Sequence, residues 1–129
     1  MLNQKDVEAV RQTVEDYLVG SYEGDVERLA RAFHPKASVV GNFGRKLTWM
    51  NMEDFLSWVK ASPKASESDQ PFDMRLVSLD VTGDAASAKV DDMFMGLKFT
   101  DYLSLVKVDG AWVIVNKTYR LHPKDAAAK

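Results

Sequence analysis

The chain has 129 residues, 46% of them hydrophobic, which suffices for one domain with one core and is too little for two. A formal net charge of -2 with dispersed basic residues argues against a nucleic-acid backbone or an anionic membrane surface as partner. The absence of cysteine excludes disulfides, thiolate nucleophiles and cysteine metal sites.

The first ten residues, MLNQKDVEAV, lack the apolar core of a signal peptide. No run approaches the roughly 18 apolar residues of a membrane span, so a cytoplasmic protein with no membrane partner is expected. A first helix is predicted with Asn3 as its cap, Asp6 in its first turn and Leu2 stapled on Val7. Val7, Val10, Val14, Tyr17 and Leu18 then form one buried stripe. Gly20 and Gly24 both offer exits, and Asp25 opens a shorter helix on whose inner face Val26, Leu29, Ala30 and Phe33 lie before His34-Pro35 stops it. Ala37 to Phe43 reads as a strand running into a loop or small hairpin up to Met50. Asn51 caps a third helix with Met52, Phe55, Leu56 and Val59 at helical spacing. SPKASESDQP, residues 62–71, is polar with a proline near each end and is expected to be a flexible loop inside a single 1–129 domain. Residues 123–129 are expected to fray.

From Phe72 the pattern alternates. Met74 to Val81 and Ala85 to Phe94 flank Thr82-Gly83-Asp84, and Phe99 to Tyr119 folds back at Asp109-Gly110, a pair suited to the positive φ angles of a two-residue turn. This predicts a four-stranded antiparallel meander. Pairing Val108 with Ala111 sets Leu105 opposite Ile114, Leu103 opposite Asn116, Tyr102 opposite Lys117 and Asp101 opposite Thr118. Strand parity then gathers Val77, Leu79, Val81, Ala86, Ala88, Val90, Phe99, Leu103, Leu105, Trp112 and Ile114 on one face. Tyr102, Val106, Val113, Val115, Lys117 and Tyr119 fall on the other, where a β-bulge would reverse the parity beyond it.

Three helices followed by a curved sheet, with the Gly24-Asp25 corner between the first two, resemble the nuclear transport factor 2-like superfamily. That is the cone-shaped α+β fold shared with ketosteroid isomerase, scytalone dehydratase and polyketide cyclases (SnoaL-like proteins). Tyr17, Gly24-Asp25, Phe33-His34-Pro35, Asp101-Tyr102, Asp109-Gly110, Trp112 and Asn116-Lys117 are similar to a family of small bacterial proteins described as "putative lumazine-binding". The resemblance covers nearly the whole chain. It implies an α+β, cystatin-like fold, an apolar pocket in the cone and a homodimer formed through the sheet.

Ketosteroid isomerase uses a carboxylate base with an oxyanion hole made by a tyrosine and a protonated acid. In the resemblance, Tyr17 takes the place of the tyrosine, but the base position falls on Gly41 and the acid position on Ser104, so that reaction is not implied. The catalytic candidates are Tyr17, His34 and Asp101, by analogy with dehydratases and cyclases. Tyr17 equally suits a core tyrosine with a tied hydroxyl, and His34 a helix-end residue satisfying free carbonyls. His122 precedes the tail and carries little weight. Asp101, Tyr102 and Lys117 can hold an anionic or carbonyl-bearing ligand or serve as a network fixing register or a dimer contact. The expected ligand-binding set is Tyr17, Phe33, Trp49, Phe55, Asp101, Tyr102, Lys117 and Tyr119, with Phe43 and Trp58 near the mouth. No metal or cofactor is expected: adjacent Asp91 and Asp92 point to opposite faces of a strand, and no HExxH or phosphate loop is present. The leading function is binding a small, partly hydrophobic or aromatic molecule. The alternatives are a lyase or isomerase and a non-catalytic interaction module.

Overall fold

The computed structural model describes residues 3–123. The first helix, α1 (Gln4–Glu23), starts where Asn3 Oδ1 accepts the Lys5 and Asp6 N–H groups. It ends at Gly24, whose φ of 65° closes the last turn through its own N–H onto Gly20 O. Leu2 and residues 124–129 lie outside the described residues. Asp25 caps α2 (Val26–Ala32) by accepting Arg28 N–H. Phe33, expected inside this helix, is extended and begins β1 (Phe33–Phe43). Proline disfavours helical geometry in the residue before it, so the chain straightens ahead of Pro35.

After Gly44 the chain returns as β2 (Lys46–Asn51), and Asn51 caps α3 (Met52–Ala61) by accepting Asp54 N–H. In the segment 62–71, Ala65–Glu67 form a 3-10 turn. Tyr22 donates to Gln70 O, while the Gln70 amide donates to Met93 O and accepts from Gly96 N–H. Four strands follow: β3 (Arg75–Thr82), β4 (Ala85–Phe94), β5 (Leu97–Val108) and β6 (Ala111–Leu121).

The sheet order is β2-β1-β6-β5-β4-β3. The β3 to β6 meander is antiparallel as expected, and β1 joins β6 in parallel, so the whole sheet is mixed. That pairing covers the edge β6 would otherwise expose. Between Phe33 and Ser38 the β1–β6 register is interrupted, at a stretch where Pro35 has no N–H to give. The helices cover one face. Val10, Val14, Tyr17 and Leu18 of α1, with Leu29 and Phe33, pack against Val90, Leu103, Leu105, Trp112 and Ile114 of the sheet. Asp6 clasps the start of α1 to the last hairpin, accepting from Trp112 Nε1 at 3.1 Å and Lys107 Nζ at 3.0 Å. The Trp112 hydrogen bond, followed by that of Lys107, holds the Asp6 carboxyl below its usual range.

One irregularity in β6 places the site. Leu105 faces Ile114 as expected, but Ser104 faces Asn116, which leaves Val115 as an extra residue. Beyond this bulge Leu103 faces Lys117, Tyr102 faces Thr118 and Asp101 faces Tyr119, each one residue from its expected partner. Lys117 and Tyr119 thereby turn to the helix-covered side, together with Asp101 and Leu103. A second bulge, between Leu76 and Ser78 in β3, leaves Val77 exposed rather than on the covered face.

Candidate functional site

Between α3, the tip of the β1–β2 hairpin and the widening half of the sheet lies an open-mouthed cavity of about 330 Å³. Its walls are apolar: Val39, Met50, Phe55 and Val59 on one side, Met74, Phe94 and Phe99 on the other. Phe43, Trp58 and Lys46 also line it. The polar lining consists of Ser21, Lys46, Thr48, Asp92, Lys117 and the Tyr17 and Tyr119 hydroxyls, and among these Tyr17 meets Asp92 while Lys117 lies over the Tyr17 and Tyr119 rings.

Tyr17 projects from the buried stripe of α1 and donates its hydroxyl to Asp101 Oδ2 at 2.5 Å. Asp92 Oδ2 lies 3.2 Å from the same hydroxyl. One phenolic proton cannot serve two carboxylates, so the cluster is satisfied only when a carboxyl also carries a proton. Asp92 is the carboxyl pushed towards that form. Burial raises its pKa well above the usual carboxylate range, the hydrogen bond and charge of Asp101 raise it further, and Lys117 and Tyr17 oppose the rise. Burial, and then the two carboxyls, likewise raise the Tyr17 hydroxyl well above its ordinary value and keep it neutral. Asp101 is fully buried, and its Oδ1 accepts no hydrogen bond from the described residues.

Lys117 crosses the cavity wall from β6. Its ammonium sits 5.0 Å from the centre of the Tyr17 ring, 5.2 Å from that of Phe55 and 5.8 Å from that of Tyr119. Among the described residues no carboxylate lies within ion-pair distance of it. The Tyr119 ring is itself held tightly. Its hydroxyl meets Thr48 Oγ1, which donates onward to Gly41 O, and a Cβ on Gly41 would fall 2.6 Å from the ring. Gly41 is thus the close approach that lets an aromatic wall stand against β1.

Of the eight expected ligand-binding residues, Tyr17, Phe55, Lys117 and Tyr119 line the cavity. Asp101 lies behind Tyr17, and Phe33 packs edge-on against the Tyr17 ring at 5.7 Å and beside Phe55, supporting the wall from the core. Trp49 and Tyr102 face outward, 71% and 51% exposed, because Thr48 and Met50 take the inward positions of β2 and Asp101 and Leu103 those of β5. Both expectations are corrected. His34, expected at a helix end and as a possible partner of Asp101, stands in β1 with Nδ1 accepting Lys36 N–H, away from the cavity. The acid near Tyr17 comes from Asp101 and Asp92, whereas Ser104 is exposed. Asp92 went unrecognised in the sequence, although it continues the inward parity of Ala88 and Val90. Among the described residues no group of three or more His, Asp or Glu is placed to hold a metal ion, and no helix is long and apolar enough to cross a membrane.

The model of the family described as "Putative lumazine-binding" matches residues 5–120. A solved structure of an NTF2-like protein of unknown function from Silicibacter pomeroyi DSS-3 is 32% identical, covers 95% of this chain and 100% of its own, and superposes with a TM-score of 0.85. A second, from Methylobacillus flagellatus KT, is 28% identical over 95% of this chain and 96% of its own, with a TM-score of 0.84. A curated relative, aldolase FrzH of Cladobotryum sp, is 22% identical over 95% of this chain and 97% of its own. The family match spans both the helices and the sheet that build the cavity.

Proposed function

We propose, for a chain that belongs to the "Putative lumazine-binding" family of the NTF2-like fold, that it binds a small, partly hydrophobic or aromatic molecule in the cone. One observation carries this reading: a largely apolar cavity of about 330 Å³ whose lining includes a small group of adjoining polar side chains, Tyr17, Asp92 and Lys117. That volume is in the range of small-molecule sites, and few, convergent polar groups are what orient a ligand in an apolar pocket. A thermal-shift screen against aromatic and carbonyl compounds, a lumazine among them, tests it. Ligands of the native state raise Tm by mass action, and the shift should vanish in Met50→Trp, which fills the cavity. If no compound moves Tm, or if Met50→Trp responds like the wild type, the reading is wrong.

A second reading, a lyase or isomerase acting on a carbonyl compound, is favoured by the Tyr17, Asp92 and Asp101 cluster at the cavity wall. A carboxyl poised to hold or release a proton next to a neutral hydroxyl is equipped to move a proton at a carbon beside a carbonyl. The aldolase relative agrees with carbonyl chemistry without defining the reaction. Tyr17, tied to Asp101, would hold Asp92 in place, and Asp92 rather than His34 would exchange the proton. Incubating small ketones with the protein in deuterated water and following their α-protons by NMR checks this. Exchange above background that disappears in Asp92→Asn supports it, and background exchange alone rejects it.

The homodimer belongs here too. Tyr102, exposed, and Val106 and Val113, partly exposed, sit on the sheet face that no helix among the described residues covers, and a second copy is the occupant that the curved-sheet fold suggests.

A further inference from the structure

We propose that Lys117 is the anchoring cation of the cavity and that the ligand is a flat, largely apolar molecule carrying one anionic oxygen, a carboxylate or an enolate, set against that ammonium. This rests on the binding reading above and narrows it to a chemical class.

The side chains with ionisable groups that line the cavity are Tyr17, Lys46, Asp92, Lys117 and Tyr119. Burial and the neighbouring carboxyls keep the Tyr17 hydroxyl neutral and Asp92 is held towards its neutral acid, so the charge that Lys46 and Lys117 bring to the lining is positive. Lys46 is exposed at the rim. Lys117 is half-buried, and no carboxylate among the described residues lies close enough to form an ion pair.

A half-buried ammonium normally finds a carboxylate or reaches back to water. This one is held over the rings of Tyr17, Phe55 and Tyr119. Their π faces favour a cation and fix its position, but they offset only part of the hydration it gives up. They also give no oxygen to accept its three N–H donors. An anionic oxygen delivered by the ligand supplies both the acceptor and the counter-charge.

The neighbours agree. The Asp92 carboxyl, held towards its acid form with its proton shared inside the Tyr17 and Asp101 cluster, does not set a full negative charge against that oxygen. The apolar walls suit the rest of the molecule, with Phe55, Phe94, Phe99 and Trp58 offering ring faces. A cationic ligand would meet Lys117 and Lys46 and is disfavoured by like charge.

Isothermal titration with three isosteric probes, 2-naphthoate, 2-naphthamide and 2-naphthylmethylamine, tests the proposal. In the wild type the acid should bind roughly ten- to a hundredfold tighter than the amide, the usual gain from a charge-assisted hydrogen bond, and the amine should be weakest. Lys117→Met should bring acid and amide to similar affinity, Lys117→Arg should retain much of the preference, and Lys46→Met should change it little. Equal binding of acid and amide by the wild type overturns this inference and leaves the binding reading standing. So does a preference that survives Lys117→Met or is lost in Lys46→Met. Binding of none of the three, with carbonyl and aromatic compounds also silent, overturns both. The wild-type comparison decides even if Lys117→Met does not fold.

Discussion

Asp92 is a buried carboxyl whose raised pKa has a consequence that can be read from stability as well as from ligands. Its carboxyl lies in the folded protein well above the 3.8 of an exposed aspartate. Between those two values the native state keeps a proton that the unfolded chain has lost. The stabilisation is therefore complete below about pH 3.8 and is lost as pH rises through the folded value, with a slope approaching about 1.4 kcal/mol per pH unit for one proton. Asp92→Asn removes this term, so urea denaturation from about pH 4 to about pH 8 should show the variant gaining on the wild type as pH rises. Parallel curves would mean that Asp92 is ionised and accommodated. At this scale the sequence was partly legible. Tyr17 and Asp101 stood out and do meet, while Asp92 was weighed only with Asp91 as a metal pair, set aside because the two point to opposite faces, and its inward position was not followed further. Trp49 and Tyr102 were misplaced because aromatic character is visible in a sequence and the side a strand presents is not.

Elements were legible where local chemistry decides them and illegible where a ladder slips. The Asn3, Asp25 and Asn51 caps and the Asp109-Gly110 hairpin are set by a few adjacent residues. The bulge at Val115 is set by nothing local: Val113, Ile114 and Val115 are all apolar and β-branched, so the pattern cannot say which is the extra residue. The parallel seating of β1 on β6 is similarly a long-range outcome, and Gly41 is its tightest point. Gly41→Ala puts a methyl 2.6 Å from the Tyr119 ring, which must swing away and release Thr48. Overpacking of this kind costs about 1–3 kcal/mol. A lower urea midpoint together with weaker ligand binding is expected, and unchanged binding would show that Tyr119 is not needed in the cavity wall.

For the whole molecule, the sheet divides labour between its two faces. The helix-covered face contains both the core and the cavity, and the other presents Tyr102, Val106 and Val113. Light scattering coupled to gel filtration should give twice the mass of one chain. Tyr102→Glu, placing a charge at the centre of that face, should shift the protein towards the single-chain mass without lowering ligand affinity. A wild type that elutes as one chain at all concentrations would leave this face to solvent and remove the dimer.

The extra residue in β6 also has a consequence for comparing this chain with its relatives. Val115 acts as a phase change within a continuous strand: residues before it belong to the packing of the core, and residues after it to the cavity. Trp112 and Ile114 before it are buried in the core cluster, while Lys117 and Tyr119 after it line the cavity. An alignment that allows gaps only in loops will, against any relative lacking the bulge, interchange inside and outside for every position from 116 onward. It will then pair this cavity lysine with a surface residue.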